Sequence, residues 1–263
     1  MNYDWRGELR PQELDLAWYD EQDRRSIETH RHFATDRVPF DRLIPYDSLR
    51  TAEVLEIGVG SGLHAELLAR AGANLTGIDL TDAAIHRTRR RFELKGLQAN
   101  LEQWDAERPR PDFDRRFDFA WSWGVVHASA RTARIVRNVA NWLVDGGRFA
   151  GMVYHRDSTS SWTALLRDGV LRGRLASRSV DEILWQSSDG FTARHYPADQ
   201  WQDLLLGFFE GASVDISGYD SDVVPLPRRL RQPLFKKLSN RRIENALHRR
   251  GSFVIFNAAE PLR

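Results

Sequence analysis

The sequence predicts an α/β protein, a mostly parallel sheet of seven strands with helices on both faces. Three observations predict it. Residues 51 to 155 alternate strand, turn and helix over five strands, the pattern of parallel strands joined by crossover helices. Residues 56 to 62 form a glycine-rich turn between the first strand and a helix. Two further strands, near Ala212 to Gly218 and Ser252 to Asn257, follow a long irregular stretch and complete the sheet. A chain of 263 residues, 41% of them hydrophobic, is long enough to bury a sizeable core.

Taken in order, residues 1–50 are polar and aromatic, with helical stretches around Glu13 to His32, and Pro39 and Pro45 lead into the core. They read as a helical N-terminal cap on a domain spanning 51–263. Val54-Leu55 is strand, and Leu63, Leu67 and Leu68 give the helix that follows its apolar period. Leu75 to Leu80 is an apolar strand ending on Asp79, and Phe117 onward is a fourth strand running into a loop with His127. Gly146-Gly147 turns into a fifth strand, Arg148 to Tyr154. Residues 156–200 then break the alternation with serine-, arginine- and tryptophan-containing helical pieces, before a helix from Pro197 to Phe209. Such an insertion lies above the carboxyl ends of the strands, where open α/β sheets bind ligands, so it is read as a lid. Residues 223–250 form a basic helical insertion in which Leu230, Leu234 and Leu238 recur every four residues, the pattern of an amphipathic helix with a solvated basic face.

The turn itself reads Glu56-Ile-Gly58-Val-Gly60-Ser-Gly62. Its glycines let a ligand approach the backbone, but the spacing differs from the Gly-x-Gly-x-x-Gly of dinucleotide sites, and an acid stands two residues ahead of the first glycine. About 20 residues further on, Asp79 ends a strand where a carboxylate can accept ribose hydroxyls.

These residues resemble the first two motifs of the class I S-adenosylmethionine-dependent methyltransferases, a Rossmann-like family, and Glu56 to Gly62 match the first motif at every defined position. Further resemblances follow along the chain: Gln103-Trp-Asp105-Ala106, Phe117 to His127, and Trp142-Leu-Val-Asp-Gly-Gly147, where Asp145 replaces the usual proline. The resemblance implies S-adenosyl-L-methionine as cofactor. It implies Glu56, Gly58, Gly60 and Gly62 at the amino-acid tail, Asp79 and Leu80 at the ribose, Asp105 and Ala106 at the adenine, and Ser122 and Trp123 beside the methyl group. More narrowly, Trp121 to His127, Met152 to Ser158 and Trp18-Tyr19-Asp20 resemble a bacterial subgroup acting on small molecules in polysaccharide and natural-product pathways, many of which carry a second histidine where this chain has Ala128.

Composition narrows the function classes. The absence of cysteine excludes disulfides, a thiol nucleophile and thiolate metal sites, and no secretory signal or long apolar run is present, which predicts a cytoplasmic protein without a membrane span. A net charge of +1 gives no global field for nucleic acid, and the loop after the fourth strand lacks the Asn/Asp-Pro-Pro-aromatic sequence of amino-directed DNA methyltransferases. The predicted partner is a small-molecule acceptor, with no nucleic acid and no metal; the oligomeric state is open.

Methyl transfer is an in-line displacement, so the protein's task is alignment and exclusion of water, with a base where the nucleophile must lose a proton. His127, on the methyl-side loop, is the candidate base for a hydroxyl acceptor. Tyr19, Tyr154 and His155 are candidate acceptor-binding residues. Methylation of nitrogen or carbon, or cofactor binding without transfer, are the alternative functions.

Overall fold

The computed structural model describes residues 14–35, 38–187 and 193–263; Glu13 of the predicted N-terminal helix and residues 188–192 of the predicted lid lie outside them. The chain begins with helix α1 (Leu16–Thr29), then enters β1 (Glu53–Ile57), α2 (Leu63–Arg70), β2 (Asn74–Asp79), α3 (Asp82–Lys95), β3 (Asn100–Gln103), β4 (Phe117–Trp123), α4 (Thr132–Trp142) and β5 (Leu143–His155). The segment after β5 folds as α5 (Thr159–Ala164), a π-helical turn over Leu165–Leu171 and α6 (Val180–Ser187), leading to β6 (His195–Tyr196), α7 (Ala198–Leu206) and β7 (Phe209–Ser217). Helices α8 (Asp220–Val223), α9 (Arg228–Phe235) and α10 (Asn240–Arg250) precede the last strand, β8 (Phe253–Pro261).

The sheet has eight strands in the order β3-β2-β1-β4-β5-β8-β7, with β6 paired to the end of β5. Strands β1 to β5 are parallel, whereas β8 runs antiparallel to both β5 and β7. This is a mixed α/β, Rossmann-like fold with seven full strands. The eighth, β6, is two residues long, too short to carry a periodic signal in sequence.

Period-two alternation divides the core between the two faces of the sheet. Leu55, Ile57, Ala120, Phe149 and Val153 point to a cluster with Val136, Val139 and Trp142 of α4 and Trp201 and Leu205 of α7. Val54, Leu75, Phe119, Trp121, Ala150 and Met152 point the other way, to Leu63 and Leu68 of α2, Phe92 of α3 and Phe33, Phe40 and Ile44 from the N-terminal segment. Because parallel strands are buried on both sides, β1 is apolar at Val54, Leu55 and Ile57, with Glu53 at its start and Glu56 within it.

An ion cluster holds α1 against this second layer. The guanidinium of Arg91 on α3 is wholly buried, donating to Glu66 of α2 at 2.6 Å and to both carboxylate oxygens of Asp23 on α1 at 2.9 and 2.5 Å. Lys95 adds a contact to Glu66 at 3.0 Å. The side chain of Asp15 caps α1 by accepting from Trp18 N at 2.8 Å, and Thr81 caps α3 by accepting from Ala84 N at 3.3 Å.

The basic segment departs from the single amphipathic helix expected. It breaks at Ser239 into α9 and α10; Pro233 lies inside α9, whose Leu230 and Leu234 are exposed at 61% and 46%. The residues that segment buries are Ile243 and Leu247 of α10. Arg228 has an acidic partner outside the segment, reaching Glu28 of α1 at 2.7 Å.

Removing one member of a buried ion pair leaves the others uncompensated in a low-dielectric site. Arg91→Ala is therefore expected to lower unfolding free energy by about 3–5 kcal/mol in chemical denaturation. The exposed Arg24→Ala, which breaks a surface pair with Glu21, should leave the denaturation midpoint unchanged.

Candidate functional site

The carboxyl ends of β1, β2 and β3 bring three predicted acids side by side. Glu56 lies on β1 in register with Gly77 of β2 and Trp121 of β4, and Asp79 at the end of β2 is in register with Gln103 of β3. Asp105 follows two residues beyond, on a loop tied back by Trp104 N donating to Asp79 O at 2.9 Å.

The glycine turn is shaped by close approach. Gly58 sits at φ +85° and donates its N–H to Ile78 O at 2.7 Å; a Cβ there would meet Val125 Cγ2 at 2.2 Å, so only glycine fits. Gly60, at φ +55°, has nothing within 4 Å of the place a Cβ would occupy, so its backbone opens onto free space. Gly62, at φ +84°, immediately precedes α2.

The electrostatics of this end are unusual. Glu56 is 2% exposed, and its Oε2 is buried without a hydrogen-bond partner. Burial, then the neighbouring Asp79 carboxylate, push its pKa well above the usual carboxylate range, opposed only in part by Arg91. Asp79 is held in place: its Oδ1 accepts from Thr81 N at 2.9 Å and Thr81 Oγ1 at 2.8 Å, and its Oδ2 accepts from Gly60 N at 3.3 Å. Leu80 beside it is 66% exposed, a large apolar surface at the mouth. Asp105 Oδ1 accepts from Glu107 N at 2.9 Å, and Ala106 is fixed from behind by Asn138, which donates to its carbonyl at 2.8 Å.

The remaining predicted residues separate into groups. Ser122 is fully buried and donates its hydroxyl to Ile57 O at 3.1 Å, between β1 and β4. Trp123 packs in an aromatic cluster with His30, Phe33, Phe40, His64 and Phe253, at centroid distances of 5.1 to 6.0 Å. Tyr19 is 0% exposed; its hydroxyl donates to Arg87 O at 2.7 Å, Arg91 lies over its ring, and burial raises its pKa to about 12. That environment ties Tyr19 to α3. His155 is buried at the end of β5, its Nδ1–H donating to Gly251 O at 2.9 Å.

His127 and Tyr154 come together. The His127 ring, 1% exposed on the short turn after β4, lies 4.3 Å from the Tyr154 ring, and its Nδ1 has no hydrogen-bond partner. His195 also lies 5.3 Å from the Tyr154 ring. Burial and the neighbouring His195 lower the His127 pKa to about 3, and burial lowers that of His195 to about 4. His195 carries no motif, and only the pairing of the two-residue β6 with β5 brings it here.

Tyr154 and His195 also line a cavity of about 410 Å³ bounded by the segment after β5, the 219–226 stretch and the start of β8. Among the described residues no cluster of three or more His, Cys, Asp or Glu could hold a metal ion, and no helix is long and apolar enough to cross a membrane.

Residues 54–147 match the family described as a methyltransferase domain. A ubiquinone biosynthesis O-methyltransferase of Coxiella burnetii is 30% identical over 101 residues, 38% of this chain and 43% of the relative. One from Xylella fastidiosa is 34% identical over 120 residues, 44% of this chain and 47% of the relative. The chain thus spans less than half the length of these curated relatives. Among solved structures, the S-adenosylmethionine-dependent methyltransferase of Mesorhizobium loti superposes with a TM-score of 0.53 at 19% identity, covering 81% of this chain and 92% of that one. Phosphoethanolamine N-methyltransferase 2 of Haemonchus contortus, solved with S-adenosyl-L-methionine, gives 0.54 at 16% identity, covering 81% and 50%. The likeness to these solved structures is one of fold, and the residues lining the cavity all lie outside 54–147.

The buried imidazoles give the protein a pH signature. His64 is lowered to about 3 by burial, then by His30 and Arg91, so three histidines are neutral in the folded state and protonated once unfolded below pH 6.5. Each draws protons to the unfolded state, so stability should fall as pH drops from 6.5 toward 4, by up to about 1.4 kcal/mol per pH unit per histidine. Glu56, with its raised pKa, works in the opposite sense and offsets one of the three. Thermal melts between pH 7 and 5 should show this decline, and His64→Phe should flatten it; a melting temperature independent of pH would contradict it.

Proposed function

We propose that the chain is an S-adenosyl-L-methionine-dependent methyltransferase that methylates a hydroxyl of a small-molecule acceptor, a sugar or natural product. The observation that carries the reading is the unpartnered, buried carboxylate oxygen of Glu56 at the mouth of an open glycine turn. A site with one orphaned carboxylate and a second, Asp79, at the next strand end fits a cationic nucleoside-bearing ligand. The curated relatives supporting transfer to oxygen are themselves named O-methyltransferases.

When bound, the cofactor supplies a methyl group already activated for displacement. Glu56 is the residue to receive its ammonium, Asp79 its ribose hydroxyls with Leu80 beside them, and Asp105 with the Ala106 N–H its adenine edge. The exposed backbone at Gly60 leaves room for the tail. Residues 156–187 and 193–200 cover the acceptor and set its identity, while α1 packs against α3 through Asp23 and Tyr19. Alignment of this kind is worth about 7–11 kcal/mol of barrier.

Proton acceptance falls to the imidazoles beside Tyr154: His127 is the residue chosen from sequence, and His195 is the one that lines the cavity. Both are neutral at physiological pH, which leaves a ring-nitrogen lone pair free, while the burial that lowers their pKa also makes each a weaker base than a solvated imidazole.

Calorimetry should detect binding of S-adenosylmethionine and its demethylated product, weakened tenfold or more by Asp79→Ala, since a charge-assisted hydrogen bond contributes about 1.5–3 kcal/mol. Because a cationic ligand favours ionised Glu56, affinity for the cofactor should rise with pH through the titration of Glu56, a trend lost in Glu56→Gln. No heat from the native chain would refute cofactor binding.

His127→Ala should lower turnover by about 10²- to 10⁴-fold and leave cofactor affinity within about threefold. Normal turnover there with a loss in His195→Ala would move the proton acceptor to His195. Normal turnover in both would leave proximity alone, and a product methylated on nitrogen or carbon would reject the oxygen assignment.

A further inference from the structure

The cavity beside Tyr154 is lined by hydroxyl groups, and those of Ser158, Ser160, Ser161, Thr163, Ser187 and Ser252 have their protons committed to partners in the protein. Ser160 and Ser252 both donate to Oδ1 of the buried Asp222 at 2.7 Å, and their own oxygens are 2.7 Å apart, so both protons stay within that trio. Ser158 donates to Ser161 at 2.9 Å, and Ser161 to His155 O at 3.2 Å. Thr163 donates to Thr159 O at 2.7 Å and Ser187 to Leu184 O at 2.9 Å. A hydroxyl whose proton is committed still offers its lone pairs. The wall therefore accepts hydrogen bonds.

Charge points the same way. The Asp222 carboxylate behind the wall also accepts from the backbone N–H of Tyr219 and of Ser252, both at 2.9 Å, which fixes its negative charge in place. Among the described residues the one cationic side chain lining the cavity, Arg167, is half-exposed and donates through Nε and Nη2 to Asp168 at 3.0 and 2.7 Å. An anionic group entering here would meet lone pairs and a buried carboxylate, whereas a ligand rich in O–H or N–H donors would satisfy them. Tyr154, Tyr219 and Phe253 supply ring surface for its C–H faces. A volume of about 410 Å³ suits a small molecule.

We propose that this cavity is the acceptor site and that it selects a neutral or cationic ligand bearing several hydrogen-bond donors, a polyol or amino-polyol ring, while excluding carboxylates and phosphates. The inference rests on the methyltransferase reading and adds the class of acceptor. It runs against the basic surface of α9 and α10, which would suggest an anionic substrate; that surface lies outside the cavity wall.

The test is saturation-transfer NMR on the full chain with S-adenosylhomocysteine present, using methyl glucoside, glucosamine and glucuronic acid at equal concentration. Methyl glucoside or glucosamine should show at least fivefold stronger saturation than glucuronic acid, and the stronger of the two tells whether hydroxyl or ammonium donors are preferred. Ser160→Ala should weaken that signal about two- to tenfold, the value of a single hydrogen bond. Ala164→Phe, which fills the cavity from α5, should abolish it, with the melting curve of each variant confirming the fold. Glucuronic acid binding as well as methyl glucoside, no binding by any of the three, or a signal untouched in a folded Ala164→Phe would overturn the inference. Heats of S-adenosylhomocysteine binding on the same samples separate the two claims: heat without sugar selectivity refutes the acceptor class, and absence of heat refutes the cofactor reading.

Discussion

A carboxylate buried with one oxygen unpartnered is a standing cost of about 1–3 kcal/mol, and Glu56 sits in that state at the centre of the sheet. The site follows from it. Strand order places Asp79 on the neighbouring strand, where its charge raises the proton affinity of Glu56 further, and no cation lies close enough to neutralise the pair fully. A fold can carry such a destabilised pair only when the surroundings are rigid, and when a ligand of opposite charge recovers the cost on binding.

The rigidity has an identifiable source. The turn that holds the acids is bracketed by Gly58, wedged against Val125, and by the wholly buried Arg91, whose guanidinium ties α1, α2 and α3 together. The same ion cluster makes the N-terminal helix part of the cofactor side of the molecule rather than an appendage. On the other side of the sheet's upper edge, β6 clamps the end of β5 and carries His195 to within 5.3 Å of Tyr154. The result is two polar regions, one with unsatisfied negative charge at the glycine turn and one with committed hydroxyls beside Tyr154.

Much of this was legible in the sequence because it depends on local patterns. The glycine turn, the acids at the ends of successive strands and the strand–helix alternation each have a fixed spacing, and the structure places Glu56, Asp79 and Asp105 at adjacent strand ends. Other features were hidden because they arise from long-range contacts. Arg91 reads as one arginine among several on a helix, and only the arrival of Asp23, 68 positions away, and of Glu66, 25 positions away, explains its burial. His195 follows the same logic. Tyr19 shows the reverse: its aromatic character suggests a ligand contact, but packing on α3 engages its hydroxyl with Arg87. The leucines of α9 have a helical period, yet Pro233 and the break at Ser239 leave Leu230 and Leu234 exposed, since periodicity sets a face without stating what covers it.

The most direct test of the account is a structure of the chain with S-adenosylhomocysteine bound. The account predicts the ligand ammonium on Glu56 Oε2 and the ribose hydroxyls on Asp79, at about 2.6–3.2 Å, with the sulfur directed toward Tyr154 and the hydroxyl-lined cavity. A ligand bound elsewhere, or one bound at the glycine turn with Glu56 still unpartnered, would contradict it.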